Sequence, residues 1–262
     1  MYQHHRESLR IMQEYFEGDP EVIALIFGGS VAKECARPDS DLDAMVVVSE
    51  EVYERLAAEN NTTRTVSGRC TYEGGYWDLK YMTKAYLAEA ADRGSEPTRN
   101  SFMKSRVLFS RDPEITGIVE RIPVFQKREK EEKMLPFYAN FCLNYHYFLK
   151  SCHADGYMRL HAISEIIYSL YRIILQENEL LFPCNRRLEE TVAGISEGTK
   201  QLTVIGRKLA ESQTVEDADA FVLCFREISG YQPPEEYSRV LTQYTRDFEQ
   251  WWRVPRPNIN EW

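Results

Sequence analysis

The sequence predicts an α+β protein, with an N-terminal α/β domain on a small mixed sheet followed by a C-terminal helical bundle. Three observations lead there. In the first half, short β-branched apolar runs alternate with helical periodicity. Beyond the charged run Lys127–Lys133 the strand signals vanish, and apolar residues then recur at helical spacing. A boundary is therefore expected near residue 125, dividing the chain into 1–125 and 126–262. At 262 residues the chain can bury a sizeable core as one large domain or two modest ones.

Arg6–Glu17 reads as an amphipathic helix with Leu9, Ile11, Met12, Tyr15 and Phe16 on its apolar side, stopped by Gly18-Asp19-Pro20. Val22–Phe27 reads as a buried strand ending at Gly28-Gly29-Ser30, and a short helix follows from Ser30 to about Cys35. After a turn at Arg37–Ser40, Leu42–Val48 is the next buried strand and Glu50–Glu59 a helix. Arg64–Tyr72 and Gly75–Met82 read as strands joined by a hairpin-type turn at Glu73-Gly74-Gly75. A helix at Lys84–Arg93, a polar loop and a short strand at Arg106–Ser110 complete the first half. In the second half, Lys127–Lys133 reads as a solvated helix start. Phe137, Phe141, Tyr145 and Phe148 form one helical stripe, Ile163, Ile166, Ile167, Leu170, Ile174 and Leu175 a second, and Phe221, Leu223, Cys224 and Ile228 a third. Such stripes face a core.

Composition narrows the function classes. Net charge is −9, with Asp and Glu outnumbering Lys and Arg 41 to 32. That argues against a duplex-nucleic-acid binder, which needs a basic face to displace counterions, and is compatible with a cationic small substrate. The N-terminus has no signal-peptide core and the aliphatic runs are too short to span a bilayer, so a cytoplasmic protein without membrane association is expected. The six cysteines form no CxxC pair, which points to free thiols and away from zinc. His146, His153 and His161 read as ordinary histidines, since Gly156 spoils a shared helical face.

The stretch Ile26–Asp43 carries the chemistry. Gly28 and Gly29 allow a tight turn and close approach of a ligand to the backbone. Ser30 reads as a helix N-cap, leaving free backbone N–H groups as an anion site, and Lys33, one turn further, reaches toward a phosphate oxygen. The spacing is not that of a Walker A loop. Asp41 and Asp43 stand at the mouth of a strand, where alternation projects both carboxylates to one face while Leu42 turns away. Two such charges at ~4 Å repel by ~4 kcal/mol at an effective dielectric of ~20. Mg²⁺, which takes oxygen ligands and shares them with substrate phosphates, is the natural offset. Asp78 lies in an otherwise apolar, aromatic strand, where an unpaired carboxylate is expensive. It either pairs with Lys80 on its own face or joins Asp41 and Asp43 to hold a metal and take a proton from an attacking hydroxyl.

Gly29-Ser30 followed eleven residues after Ser30 by Asp41-x-Asp43 resembles the signature of the polymerase-beta-like nucleotidyltransferase superfamily. The helical second half and the overall size resemble its antibiotic nucleotidyltransferases, which act on aminoglycosides and lincosamides. The resemblance is specific over Phe27–Val48, moderate at Asp78 and architectural beyond residue 125. It implies a nucleotidyltransferase catalytic domain at 1–125 and a helical acceptor-binding domain at 126–262. Gly28, Gly29, Ser30, Lys33 and Ser40 would line the nucleotide; Asp41, Asp43 and Asp78 would ligate Mg²⁺ and form the catalytic set. The implied reaction moves a nucleoside monophosphate, typically AMP from ATP, onto a hydroxyl of a small acceptor and releases pyrophosphate. Glu165, on the expected helix Leu160–Gln176, is the candidate for acceptor binding or base, with Asp155 and Glu96 as weaker ones. Arg186 and Arg187 read as a helix cap or as partners of Glu189 and Glu190. Glu34 departs from the pattern, since many relatives carry glycine there. Two other readings stay open: a nucleotidyltransferase acting on a protein or RNA end, and a non-catalytic nucleotide-binding regulatory module. A monomer or homodimer is expected.

Overall fold

The computed structural model describes residues 1–253. They form two compact units, Met1–Val124 and a second that begins at Phe125. The first unit runs α1 (Gln3–Glu17), β1 (Val22–Phe27), α2 (Gly29–Ala32), β2 (Leu42–Val48), α3 (Glu50–Ala58), β3 (Thr63–Ser67), β4 (Tyr76–Thr83), α4 (Lys84–Arg93), α5 (Glu96–Ser101), β5 (Arg106–Ser110) and α6 (Glu114–Arg121). The five strands make a mixed sheet in the order β3-β4-β2-β1-β5. Only β2 and β4 run parallel; the other pairs are antiparallel.

Alternation along the strands sorts the core into two layers. On one face Leu25, Phe27, Ala44, Val46 and Leu79 pack with Leu9, Met12 and Phe16 of α1. On the other, Ala24, Ile26, Met45, Val47 and Met82 meet Leu87, Phe102, Ile115 and Ile118 from the α4–α6 region. Asp43 shares the second face with Met45 and Val47, and Asp78 shares it with Lys80 and Met82. Both carboxylates therefore stand at one end of a face that is apolar further along.

Three local expectations are corrected. Gly28, not Ser30, occupies the N-cap position of α2, because the turn happens one residue earlier and Ser30 is already helical. The strand expected over Arg64–Tyr72 stops at Ser67, and residues 68–75 form a longer connection to β4 rather than a tight hairpin turn. The polar loop after α4 contains α5, whose short sequence lacks apolar periodicity but has Ser95 accepting from the Thr98 N–H and a proline in its first turn. This helix is held by Arg99, which is fully buried. Its guanidinium donates to the carbonyls of Gly94 (2.8 Å), Ile122 (3.0 Å), Ala91 (3.3 Å) and Val124 (3.4 Å), tying α5 to the ends of α4 and α6.

The second unit is helical: α7 (Lys130–Cys142), a π-helical stretch Leu143–Ser151, α8 (Gly156–Glu177), α9 (Asn185–Ala193), α10 (Glu197–Ser212), α11 (Val215–Ile228) and α12 (Tyr237–Tyr244). Phe137, Phe141, Ile163, Ile166, Leu170, Leu202 and Phe221 form its core. Arg172 is buried among the rings of Phe182 (4.2 Å), Phe137 (4.4 Å) and Tyr168 (5.4 Å), a cation–π cage inside the bundle. Two expectations fail here. Lys133 is buried and paired with Glu129 at 3.1 Å, so the charged run is not uniformly solvated. Leu223 points outward, 60% exposed, because the buried face of α11 is set by Ala218, Phe221, Val222 and Phe225. The six cysteines are free thiols. Among the described residues no helix is long and apolar enough to cross a membrane.

Removing the Arg99 fork leaves its partner carbonyls, that of Ile122 in the buried interior, without their donor, at a cost of ~1–3 kcal/mol. Arg99→Met is expected to lower the thermal unfolding midpoint of the first unit by several degrees. Arg99→Lys recovers little of this, since one ammonium cannot span four carbonyls.

Candidate active site

The parallel pairing of β2 with β4 sets Asp43 directly opposite Asp78 in the ladder. Asp41 precedes β2 by one residue, and one carboxylate oxygen from each of the three lies within 4.8 Å of the others. All three are half-buried. The alternative pairing is not made: among the described residues no ion pair joins Asp78 to Lys80. Burial first, then the charges of Asp41 and Asp78, push Asp43 up to about 6, against the opposing pull of Lys80 and of the Ser30 N–H. Three close carboxylates with all-oxygen donors suit a hard divalent cation that keeps several sites for water or phosphate. Asp41, Asp43 and Asp78 are the one such cluster among the described residues.

The glycine turn is built around this carboxylate. Gly28 N–H donates to the Asp43 carbonyl at 3.0 Å, bringing the end of β1 alongside the start of β2. Gly29 has φ +69°, and a Cβ placed on it would stand 1.7 Å from Asp43 Oδ2. No side chain fits there. The Ser30 N–H faces Asp43 closely enough to pull its pKa down, against the larger effects of burial and the neighbouring carboxylates. Lys33 extends to Asn100, its Nζ 2.7 Å from Oδ1. Glu34 explains its own departure from glycine only in part: its φ of +63° is the left-handed region, which costs a side-chain-bearing residue ~1 kcal/mol. The carboxylate reaches outward to Lys104 at 3.0 Å, which draws its pKa down.

Asp41 is delivered by a loop with its own supports. Ser40 closes a turn: its N–H donates to the Arg37 carbonyl at 3.1 Å, and its Oγ accepts from the Arg37 N–H at 2.9 Å. Tyr72 OH donates to the Ser40 carbonyl at 2.6 Å and His4 Nε2 to the Pro38 carbonyl at 2.9 Å. His5, fully buried, packs edge-on against His4 and Tyr72 and is held below its ordinary pKa by burial and then by His4. Tyr76 lies beside Asp41, and interaction with that carboxylate raises the phenol pKa. Sequence reasoning missed His4, Tyr72, Tyr76 and Asn100. The Tyr76-x-Asp78 alternation was the one usable signal, because it places the phenol on the Asp78 face. The others come together only through tertiary contacts.

The remaining candidates belong to other elements. Glu165 belongs to α8 in the second unit, half-buried, and accepts from Asn140 Nδ2 at 2.6 Å. Asn140 also donates to Ser169 Oγ at 2.9 Å and is itself buried. Asp155 is exposed at the start of α8. Glu96 is buried in α5. Arg187 pairs with Glu190 at 2.6 Å.

Residues 5–95 match the model of a nucleotidyltransferase domain. Among solved structures, a nucleotidyltransferase-like protein from Exiguobacterium sibiricum 255-15 aligns over 97% of this chain and 81% of its own, at 11% identity and a TM-score of 0.46. Spectinomycin adenyltransferase AAD(9) from Enterococcus faecialis, solved with ATP and spectinomycin, aligns over 92% of this chain and 96% of its own, at 14% identity and a TM-score of 0.32. No curated protein matches the chain.

Asp43 generates a pH-dependent expectation. Between its ordinary value of 3.8 and about 6, the folded protein holds a proton that the unfolded chain releases, so the stability contributed by this group falls as pH rises through that window. Asp43→Asn removes the penalty. In metal-free buffer at pH 7.5 the variant is expected to be more stable than wild type by about 1–3 kcal/mol, discounted for partial exposure, with the gain shrinking toward pH 4. Thermal melts of both proteins across that pH range check it. The same variant should lose any stabilisation by added Mg²⁺.

Proposed function

With residues 5–95 a nucleotidyltransferase domain, we propose that this enzyme moves AMP from ATP to a hydroxyl of a small acceptor and releases pyrophosphate. The observation that carries the reading is the meeting of Asp41, Asp43 and Asp78 beside a glycine turn that tolerates no side chain. We assign the three aspartates to Mg²⁺, and Gly28, Gly29, Ser30, Lys33 and Ser40 to the nucleotide. Bound there, the ion would supply charge neutralisation and polarisation at the phosphates.

The protein's own part is positioning and proton handling. Gly28 and Gly29 let the phosphates approach the backbone, and Lys33 gives them a cation. Asp78, on the strand next to Asp43, takes the proton as the acceptor oxygen bonds to the α-phosphorus and the bond to pyrophosphate breaks. Much of the rate gain then comes from alignment of the reacting oxygens. Glu165 is assigned to the acceptor: Asn140 fixes its carboxylate while leaving acceptor capacity for an amine or hydroxyl. An acceptor of aminoglycoside or lincosamide type fits this carboxylate and the acidic chain, which carries a net charge of −9.

The test is incubation with labelled ATP, Mg²⁺ and a panel of aminoglycosides and lincosamides. Labelled product and pyrophosphate are expected, and Asp41→Asn should abolish both without lowering the melting temperature. Full activity in that variant would sink the site assignment. Glu165→Gln is expected to raise the acceptor KM about tenfold, the scale of one charge-assisted contact, and to leave the ATP KM unchanged. An unchanged acceptor KM removes Glu165 from the acceptor site.

A further inference from the structure

We propose that Asn100 is a positioning residue that holds the Lys33 ammonium ready for the triphosphate, an inference that rests on the assignment of Lys33 to the nucleotide. Asn100 lies outside the matched domain region, which ends at residue 95. It is 6% exposed at the end of α5. Its Oδ1 accepts from Lys33 Nζ at 2.7 Å, across 67 residues of chain. Its Nδ2 donates to Met103 Sδ at 3.4 Å, which turns the amide so that oxygen rather than nitrogen faces the lysine.

The platform beneath it is rigid. Arg99, one residue earlier, fastens α5 to four carbonyls. The Ser101 carbonyl, one residue later, lies 3.5 Å from where a Cβ on Gly28 would stand, so the end of α5 backs the glycine turn itself. Asn100 thus links the turn to a buried clamp through the one flexible cation at that turn assigned to the nucleotide.

The choice of an amide is chemically specific. A carboxylate at this position would pair with the ammonium and compete with phosphate for it. An amide oxygen orders the lysine without placing a negative charge of its own beside it. Lysine has a long flexible stem, so ordering it during folding spares that entropy cost at the moment the nucleotide binds.

The test measures ATP affinity by calorimetry, and kcat and KM for ATP, in Asn100→Ala, Asn100→Asp, Lys33→Met and the Lys33→Met/Asn100→Ala pair. Asn100→Ala is expected to weaken ATP binding roughly 3–10-fold with little change in kcat. Asn100→Asp, close to isosteric and so a guard against misfolding, should weaken it as well by placing a carboxylate against the ammonium in competition with phosphate. The double variant should bind ATP no more weakly than Lys33→Met alone, because the amide acts through the lysine. Additive losses in the double variant, or wild-type affinity in both Asn100 variants, would overturn the proposal while leaving Lys33 in its role. Wild-type affinity in Lys33→Met would instead remove Lys33 from the nucleotide site, and Asn100 with it.

Discussion

The first unit depends on a pairing that electrostatics alone opposes: Asp43 opposite Asp78 in a parallel ladder, with Asp41 alongside. The register is imposed by the apolar residues on either side. Leu42, Ala44, Trp77 and Leu79 are buried on the far face, and shifting one strand by a single residue would exchange them for the carboxylates. Strand pairing and burial therefore hold the acidic side chains closer than they would choose. Burial first, and then the charges of Asp41 and Asp78, raise the Asp43 pKa accordingly. A divalent cation at this cluster would resolve that conflict.

Around this conflict the chain places two kinds of support. One is local: the Gly28–Gly29 turn wraps the Asp43 carboxylate so closely that it leaves no room for a Cβ. The other is distant. The first turns of α1 supply His4 and His5, and the long connection before β4 supplies Tyr72, together steadying the loop that ends at Asp41. Side α5 does the same for Lys33 through Asn100. Each support trades conformational freedom during folding for geometry already in place when a ligand arrives.

The second unit follows a different logic. Its polar groups are enclosed by helices rather than set at a strand edge. Arg172 is solvated by three aromatic faces, and Asn140 spreads its amide hydrogens between Glu165 and Ser169. Pro136 inside α7 and the π-helical stretch after it depart from regular helix in the segment that also carries Asn140 and Asn144.

Strands β1, β2 and β4 and the helices flanking them were legible in the residues, because a buried strand writes its β-branched run and its alternation directly into the chain. So were the three aspartates, since carboxylates among apolar residues need a reason that is visible in one dimension. The helix α5 was not, because its stability comes from a buried guanidinium bonded to carbonyls elsewhere, and no periodicity reports that. Nor were the true ends of β3 and the inward turn of Lys133, which depend on what packs beside them. Composition and spacing by themselves determined that this protein has a mixed sheet, a helical second half and an acidic cluster beside a glycine turn. The tertiary structure alone decided that Asp43 faces Asp78, that Tyr72 bonds the Ser40 carbonyl and that Asn100 takes Lys33. Such contacts arise from strand register and helix docking, which join residues far apart in sequence and leave no local mark.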